Sequence, residues 1–469
     1  MPANIRTESD SFGPIDVPAD RLWGAQTERA RHHFGAAVEP MPIALIHAIA
    51  RVKRAAARTN RDLGVLEPRV AEAIVTGATE ILDSRHDGEF PLPVWQSGSG
   101  TQTHMNVNEV LANRGCELLG GQRGDHRLVH PNDHVNRGQS SNDVVPTAMH
   151  LCAIEALGTL LPAVDTLREA FQSKAESFAD VVKVGRTHLQ DAVPMTLGQE
   201  FSGYASQLAT TGRLLEQARD PLLELAIGGT AVGTGLNAHP EFGARVAALL
   251  AEETGVPLVS GRNKFALIAS HDGLVHAHGA MRTLACALVK IGNDLRWLAS
   301  GPRCGLGELR LPELEPGSSI MPGKVNPTQI ESLVMAATQV LGNDVTMGIA
   351  GAGGQLELST YKPLLIATFL QSARLLTEGC ERFRVHVVTG VEPDRARLAE
   401  LIHRSLMLAT ALTPHIGYDR AAEIVHEAHA SGRALREVAI ERGVDPASFD
   451  RWTDVRALAT PGSGGTAPL

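Results

Sequence analysis

Apolar residues recur at alternating spacings of four and three between Leu274 and Leu298. The positions are Ala277, Met281, Leu284, Leu288, Ile291, Leu295 and Leu298. Three heptads of this kind are typical of a long helix that packs along one seam. Similar patterns cover residues 151–184, 197–225 and 330–349. The chain therefore predicts a bundle of long helices across its middle.

Several of these helices are apolar on more than one face. In the helix predicted at 274–298, the small residues Ala285, Cys286 and Ala287 lie beside the main seam. A helix that is apolar over much of its circumference must be covered on all those sides. Because one chain with so few long helices would not cover them, we expect the bundle to form the interface of an oligomer.

The two ends of the chain predict shorter elements. The N-terminal part opens on an extended arm rich in Gly and Pro, Asp10 to Gln26, followed by short helices and loops. Short amphipathic patterns at 394–405 and 420–430 predict small C-terminal helices, and the segment 460–465 predicts a disordered tail. We therefore predict three domains: residues 1–139, a central long-helix bundle of residues 140–392, and residues 393–469.

Composition narrows the class of protein. Hydrophobic residues make up 43% and aromatic residues only 4%, which favours helix bundles over aromatic-rich β sandwiches. The net charge is −9 without a basic block, which argues against nucleic acid as a partner. We also expect no membrane association, because neither a signal segment nor a membrane span is evident. The five cysteines show no disulfide or metal-ligand spacing, so we expect free thiols, no metal and a cytoplasmic protein.

Four polar segments rich in Gly, Ser, Thr and Asn border the helical patterns. They are Ser97–Gln102, His130–Asp143, Gly185–Gln190 and Gly317–Pro327. Any one such segment is most often a solvated turn. Together they carry hydroxyls, amides, an imidazole and an ammonium group. Removing a proton next to a carboxylate places two negative charges on that carboxylate, and these groups are the donors such an intermediate needs.

The segment around Ser318 has the features of an anion site that feeds a helix. Asn326 and the proline after it predict an N-cap and a first helical residue, which puts Lys324 beside the positive end of a helix. Ser318 lacks the nucleophile-elbow context of serine hydrolases. The flanking glycines would let backbone N–H groups approach its oxygen, so a stabilised alkoxide is chemically feasible.

Glu331 lies near the start of the same predicted helix and allows two interpretations. It is either a surface carboxylate favoured by the helix dipole, or the partner that orients an imidazole. For the second role His188 is the leading candidate, because it lies in a polar segment between Thr187 and Gln190.

The chain resembles the class II fumarases, the iron-independent fumarate hydratases of the fumarase/aspartase superfamily, from about Asp10 to about Trp452. The resemblance rests on four motifs: GSSIMPGKVNPTQ at Gly317–Gln329, HPND…QSSND at His130–Asp143, GRTHLQDAVPMTLGQE at Gly185–Glu200, and GGTAVGTGLN at Gly228–Asn237. It implies an all-α, three-domain fumarase/aspartase-like fold, whose long helices form a core of about twenty helices in a homotetramer. It also implies active sites assembled from three subunits, and no metal or organic cofactor.

The resemblance further implies a reaction and a set of site residues. The reaction is the reversible hydration of fumarate to (S)-malate in the tricarboxylic acid cycle, through removal of the C3 proton and an aci-carboxylate intermediate. Ser318 matches the catalytic base, and His188, paired with Glu331, the group that handles water. The positions that match substrate-binding residues are Ser99, Gly100, Thr101, Ser140, Ser141, Asn142, Thr187, Ser319, Lys324, Val325 and Asn326. A secondary dicarboxylate site matches Arg127, His130, Pro131, Asn132 and Asp133.

Two other functions compete with this interpretation. Aspartate ammonia-lyases typically show Gln where this chain has His188 and PAKVNP where it has residues 322–327, so both positions favour a fumarase. Argininosuccinate and adenylosuccinate lyases depart further from the motifs. A non-catalytic relative of the lens-crystallin type is disfavoured, because it would have no chemical need of Ser318, His188, Lys324 and Glu331 together.

Three positions depart from the family pattern. His104 stands where an Asn is usual, Ala266 where a Glu is usual, and Ser359 where an Asn is usual. We expect His104 to alter substrate affinity or to add a pH-dependent charge, and the other two to loosen hydrogen bonding around the site.

Overall fold

The computed structural model describes residues 4–35 and 39–460, and helices dominate this part of the chain. Its strands form four separate two-stranded sheets. The chain divides into two compact units, each made of three stretches that are separated in sequence. The first unit comprises the residues up to Leu161 with Arg213–Ala285 and Thr338–Leu376, and the second comprises Pro162–Gly212, Cys286–Ala337 and the residues from Thr377 onward.

The N-terminal region begins with an antiparallel hairpin. Its elements are β1 (Ile5–Asp10), β2 (Gly13–Pro18), α1 (Ala25–His33), α2 (Ile43–Asp62), α3 (Pro68–Leu82) and α4 (Thr101–Leu118). The predicted extended arm therefore contains the second strand of this hairpin. The buried Glu109 carboxylate on α4 accepts hydrogen bonds from the backbone N–H groups of Gly24, Gln26 and Thr27, at 3.0, 2.7 and 3.0 Å. These bonds satisfy donors that the start of α1 would otherwise leave unpaired.

Five long helices dominate the middle of the chain, with short elements between them. The elements are α5 (Ser141–Ser177), β3 (Val182–Thr187), β4 (Gln190–Thr196), α6 (Leu197–Gln217), β5 (Glu224–Leu225), α7 (Phe242–Thr254), β6 (Val259–Ser260), α8 (Lys264–Ala269), α9 (Asp272–Leu298), β7 (Leu309–Arg310), α10 (Thr328–Gly351) and α11 (Lys362–Phe383). The five long helices are α5, α6, α9, α10 and α11, and each contributes residues to both units.

The heptad seam predicted for α9 is confirmed. Its residues from Ala277 to Leu295 are fully buried, and Leu298 is 5% exposed. The helix predicted at 151–184 lies earlier in the chain than expected, because α5 begins at Ser141 and ends at Ser177, and β3 begins at Val182. A β-branched run around Gly185 favours a strand there.

The longest helix, α5, contains a long apolar stretch. By length and composition it could cross a membrane, with a window of mean hydropathy 1.5, so the expectation that no stretch reaches this length was wrong. However, 72% of that window is buried inside the protein. A mostly buried window of this kind is typical of the core helix of a globular protein.

The C-terminal region is a set of short helices. Its elements are β8 (Glu392–Pro393), α12 (Arg395–Arg404), α13 (Thr413–Ile416), α14 (Tyr418–Ser431), α15 (Leu435–Glu441), α16 (Pro446–Trp452) and α17 (Val455–Leu458). Aspartates cap three of them: Asp394 accepts from the N–H of Arg397 at 3.0 Å, Asp445 from the N–H of Ser448 at 2.8 Å, and Asp454 from the N–H of Arg456 at 3.0 Å. An aspartate at the N-cap position therefore marks the start of a helix in the amino-acid sequence.

Residues 408–449 form an apolar cluster of their own, in which Leu412 and Val438 are fully buried. This cluster lies within the predicted C-terminal domain, but the three-domain division and its two internal boundaries remain predictions. The predicted disordered tail lies outside the described residues from position 461 onward. The all-α class is confirmed, since every sheet is a short two-stranded pair.

Candidate active site

A capping box fixes the start of α5 in the first unit. The Ser140 hydroxyl accepts a hydrogen bond from the N–H of Asn142 at 3.1 Å, and the Asp143 carboxylate accepts one from the N–H of Ser140 at 2.9 Å. The two bonds satisfy donors that a helix start leaves unpaired. The Asn142 side chain donates to the carbonyl oxygen of Ala231 at 2.8 Å. Three predicted substrate-binding residues, Ser140, Ser141 and Asn142, thus lie on one rigid turn.

A chain of hydroxyls joins the start of α4 to the start of α5. Ser97 Oγ lies 2.9 Å from Ser99 Oγ, which lies 2.7 Å from Thr101 Oγ1. Thr101 Oγ1 in turn lies 2.8 Å from Ser141 Oγ. Residues that are 40 positions apart in sequence therefore meet, and this arrangement can offer several hydroxyl donors to one anion.

The backbone next to Ser99 is held by a close approach of two segments. A Cβ atom on Gly98 would lie 1.5 Å from the carbonyl oxygen of Thr360, so only glycine fits. The N–H of Lys362 donates to the carbonyl oxygen of Gly98 at 3.0 Å. Gly100 precedes α4 in the left-handed conformation, with φ +73°. This contact sets where Ser99 and Thr101 lie.

Asp143 is a buried carboxylate that ties α5 to another loop. Its second oxygen accepts hydrogen bonds from the N–H groups of Gly228 at 3.0 Å and Thr230 at 2.9 Å. Burial raises the pKa of Asp143 to about 6, although these N–H groups and Lys53 oppose the rise.

Lys53 is a fully buried lysine in the same unit. Its ammonium group donates to Asn136 Oδ1 at 2.8 Å and Gln139 Oε1 at 3.0 Å. Burial lowers the pKa of Lys53 well below its usual range, and the charge of Asp143 opposes this. Lys53 therefore holds the segment that leads into α5 through its amide partners.

Neither Lys53 nor Asp143 is a predicted site residue, although the sequence carries a signal for both. Asp143 is the third residue after Ser140, which is the spacing of a capping box. Lys53 falls on the apolar stripe of α2, seven residues after Ile46 and four after Ile49. A charged residue on such a stripe indicates a buried, paired group.

The three residues that depart from the family pattern differ in burial. Burial lowers the pKa of His104 well below its usual range, so the expected pH-dependent charge there is wrong. Ser359 is buried, and its hydroxyl has no hydrogen-bond partner in the described part of the chain. Ala266 is exposed, and its N–H group is bonded by the side chain of Asn263 at 3.0 Å.

In the second unit, His188 lies at the tip of the hairpin formed by β3 and β4. Thr187 pairs with Gln190, so the turn has two residues, and these two, His188 and Leu189, have φ values of +56° and +59°. Two positive φ values are typical of a type I′ turn, which matches the twist of the flanking strands. Both Thr187 and His188 are exposed. The sequence had predicted a polar segment here, and the structure makes it a rigid hairpin.

The loop that carries Ser318 closes on itself. The N–H of Gly317 donates to the carbonyl oxygen of Lys324 at 2.8 Å, and the Asn326 side chain donates to the carbonyl oxygen of Gly317 at 2.6 Å. Ser318 Oγ accepts hydrogen bonds from the N–H groups of Met321 at 3.0 Å and Ile320 at 3.3 Å. Two N–H donors directed at a hydroxyl oxygen stabilise negative charge on it.

The helix after this loop begins one residue later than predicted. The carbonyl oxygen of Pro327 accepts the first helical bond, from the N–H of Glu331 at 3.1 Å. Asn326 is therefore not the N-cap, because its amide binds Gly317 instead. The Glu331 carboxylate lies 3.9 Å from Arg296 Nη2. No hydrogen bond or ion pair joins it to His188 of the same chain among residues 4–35 and 39–460.

A pocket of about 770 Å³ lies beside the start of α10. Its wall includes four predicted site residues, Lys324, Val325, Asn326 and Glu331, and also Arg296 and Arg310. Because Glu313 also lines this wall, three cationic side chains face two carboxylates, and the small positive excess favours an anionic ligand. Ser318 and Ser319 lie in the same loop but not on this wall. In the described part of the chain, no group of three or more His, Cys, Asp or Glu side chains has the arrangement of a metal site.

The predicted secondary site is a single short segment of the first unit. Pro131 to Val135 form one wide helical turn, and His130 Nδ1 accepts from the N–H groups of Asn132 at 3.1 Å and Asp133 at 3.2 Å. The Arg127 side chain is 93% exposed and pairs with Asp125 at 3.2 Å. Its role as a dicarboxylate site stays a prediction.

Comparison with known proteins identifies the family. The protein-family model described as "Lyase" matches residues 13–342, and the family model described as "Fumarase C C-terminus" matches residues 408–460. The fumarate hydratase class II of Chromobacterium violaceum is 61% identical over 96% of this chain and 98% of its own length, and that of Nitrosomonas europaea is 59% identical over 97% and 98%. The crystal structure of the class II fumarase of Schistosoma mansoni has a TM-score of 0.95 and 44% identity, covering 98% of this chain and 100% of that chain. The chain therefore belongs to the lyase family and, within it, to the class II fumarate hydratases.

Proposed function

We propose that this chain catalyses the reversible hydration of fumarate to (S)-malate. The observation that carries the proposal is the 61% identity to a fumarate hydratase class II over 96% of the chain. The donor-rich segments support it, because a dicarboxylate reaction through an aci-carboxylate needs hydroxyl, amide and ammonium donors around the substrate.

Ser318 is the base that removes the C3 proton of malate. A serine hydroxyl is a weak base unless its alkoxide is stabilised. The N–H groups of Ile320 and Met321 already donate to Ser318 Oγ, and they would hold the alkoxide in the same way. The closed loop between Gly317 and Lys324 keeps this geometry while the proton is transferred.

His188 and Glu331 handle the departing water, and they do so between chains. The His188 imidazole has no hydrogen-bond partner within its own described chain, and Glu331 lies at the start of α10 on the wall of a cationic pocket. A neighbouring chain's Glu331 would orient the imidazole and favour its charged form. Protonated His188 then donates its proton to the leaving hydroxyl.

The substrate carboxylates are held by two groups of donors. Ser99, Thr101 and Ser141 offer linked hydroxyls near the capped start of α5. Lys324 and Asn326 offer an ammonium and an amide next to the start of α10. The remaining predicted contacts are Gly100, Ser140, Asn142, Thr187, Ser319 and Val325.

We infer a homotetramer in which each active site takes residues from three subunits. Along α10, Met335, Val345 and Ile349 are 67%, 63% and 68% exposed in the single chain. In the Ser318 loop, Ile320 is 84% exposed. Exposed apolar side chains at regular helical positions mark a surface that another chain covers. We also place the enzyme in the cytoplasm, since all five cysteines are free thiols.

A spectrophotometric assay tests the function. Fumarate absorbance should rise when the purified chain receives (S)-malate and should stay flat with aspartate. Fumarate from aspartate alone would assign the chain to the ammonia-lyases instead.

A second assay tests the base. Ser318→Ala should lower kcat by about 10²- to 10⁴-fold, the usual contribution of a proton-transfer group. Its thermal unfolding should match the wild type, because the missing oxygen lies in a loop. Turnover close to that of the wild type would remove Ser318 from this role.

A further inference from the structure

Glu308 is a buried carboxylate that no part of the reaction described above uses. Its side chain is 0% exposed, and it lies between two cations of strand β3. Arg186 Nη1 donates to Glu308 Oε1 at 2.6 Å, and Lys183 Nζ makes a charge contact with Oε2 at 3.2 Å without hydrogen-bond geometry. Lys183 is 2% exposed and donates to Glu200 Oε2 at 2.8 Å. The cluster therefore holds two positive and two negative groups.

We call the contacts of Glu308 with Arg186 and Lys183 the bridge. Both ends of the bridge are close in sequence to proposed catalytic residues. Arg186 lies two residues before His188, on the strand that ends in the type I′ turn. Glu308 lies just before β7, after which the chain runs through a loop to Ser318. The bridge therefore ties the base of the His188 hairpin to the base of the Ser318 loop within one unit.

The backbone of Glu308 is itself fixed. Its N–H donates to the carbonyl oxygen of Leu298 at 2.8 Å, and its carbonyl oxygen accepts from the N–H of Asp394 at 2.8 Å. The next residues, Leu309 and Arg310, pair with β8. Because its backbone is held on both sides, the Glu308 carboxylate has a fixed position and can hold β3 in place through Arg186.

We propose that Glu308 is a positioning residue for the reaction, which sets the location of His188 through Arg186 and Lys183 and fixes the base of the Ser318 loop. Removing its charge leaves two buried cations short of a counter-charge, so the hairpin shifts toward solvent to rehydrate them. A displacement of about 1 Å at a reacting group costs roughly 100-fold in rate.

The test compares Glu308→Gln with Glu80→Gln. Glu80 is a matched control, because it is a carboxylate of low exposure that pairs with Arg114 at 2.6 and 2.9 Å and with His86 at 2.9 Å. We expect Glu308→Gln to lower kcat for malate by about 100-fold with a smaller change in KM. We expect Glu80→Gln to keep wild-type kcat per folded chain.

Hydrogen exchange gives a readout that is independent of activity. In folded Glu308→Gln, the N–H groups of residues 182–196 and 309–326 should exchange faster than in the wild type, and Glu80→Gln should leave both segments unchanged. The kinetic arm rests on the proposed function, and the exchange arm does not. A wild-type chain inactive on malate would therefore refute the function while the exchange still tests the bridge.

A double-mutant comparison completes the test. If Arg186 and Glu308 act through one bridge, Arg186→Gln combined with Glu308→Gln should lower kcat no further than the worse single variant. Additive losses, or an unchanged kcat in Glu308→Gln, would overturn the proposal. Should Glu308→Gln fail to fold, Glu308→Asp keeps the charge on a shorter side chain, and it should still lose kcat at normal folded yield. A fully active Glu308→Asp with unchanged exchange would also overturn the proposal.

Discussion

His188 occupies a backbone conformation that few side chains adopt. Its φ of +56° lies in the left-handed region, where Gly, Asn and Asp are the residues most easily accommodated. The imidazole is therefore held on a strained two-residue turn, and strain of this kind clusters at functional sites. The consequence is that a substitution here must be judged on two effects, the lost imidazole and the strained turn.

His188→Asn separates these two effects. Asparagine tolerates the left-handed conformation but cannot transfer a proton, so the turn should persist while kcat for malate falls by about 10²-fold or more and KM changes less. Steady-state kinetics with fumarate detection measures both constants. Ser84→Asn is the control, because it introduces the same residue at another exposed position with φ of +59°, and it should leave turnover unchanged. Wild-type turnover in His188→Asn would show that the imidazole is not the second catalytic group.

Asp143 makes the stability of the chain depend on pH. Its pKa of about 6 lies above its ordinary value of 3.8, because burial disfavours the charged form. Between these two pH values the folded chain binds more protons at this site than the unfolded chain does. This group therefore makes the folded state less stable as the pH rises from about 4 to about 6.

Asp143→Asn should remove this dependence. The free energy of unfolding of the wild type, minus that of the variant, should fall as the pH rises through the same window, by at most about 1.4 kcal/mol for each pH unit. Urea unfolding at a series of pH values measures the difference, and Asp20→Asn is the exposed control. Parallel pH profiles for wild type and Asp143→Asn would contradict the raised pKa.

At the scale of single residues, the sequence shows chemistry better than it shows environment. The motifs around Ser318 and Lys324 point to an anion site because their donors are adjacent in the chain. The position of Lys53 on an apolar stripe indicates burial but not its partners, and Glu308 has no such signal, because the partners of the two residues lie about 80 and 120 residues away. His104 was misread for the same reason, since only the fold shows that it is buried.

The short segment before α4 depends on one close backbone contact. Gly98 passes so near Thr360 that a methyl group would lie 1.5 Å from its carbonyl oxygen. Gly98→Ala should therefore displace the Ser99–Thr101 segment and weaken the hydroxyl chain to Ser141. We expect KM for malate to rise by about tenfold or more, which corresponds to the loss of one charge-assisted hydrogen bond.

Gly88→Ala is the matched control for this prediction. A methyl group there would meet nothing within 4 Å, so KM and kcat should stay at wild-type values. Steady-state kinetics on both variants gives the comparison. An unchanged KM in Gly98→Ala would show that the segment tolerates displacement and does not bind substrate.

Helices were predicted where apolar residues recur with the helical period on one face. Strands were missed where their formation depends on tertiary contacts. The α9 seam follows from the sequence alone, since its spacing fits only a helix with one buried stripe. The hairpin of β3 and β4 was not predicted, because its turn residues His188 and Leu189 are not the Asn-Gly type that signals a type I′ turn. The start of α10 was misplaced by one residue because Asn326 has a better partner in Gly317.

At the scale of the whole molecule, the proposal of shared sites can be tested by mixing two inactive chains. Ser318→Ala and His188→Asn would each inactivate every site of a homotetramer. If Ser318 and His188 of one site come from different chains, about a quarter of all sites in random hybrid tetramers should contain both intact residues. Refolding the two variants together, followed by the malate assay, measures the recovered activity.

Two outcomes would contradict shared sites. Hybrids without activity would place both groups of a site on one chain, and light scattering that shows a monomer for the wild type would exclude any sharing. Refolding each variant alone provides the baseline for both measurements.

The two units of the chain are interleaved in sequence. Each consists of three separated stretches, and the five long helices in the middle of the chain contribute to both. No single cut in the chain can release either unit as a fragment, so neither unit can be produced alone, or exchanged with that of a relative, as one continuous segment. Insertions are better placed at surface turns such as the one after α4, where Gly120 and Gly124 adopt positive φ.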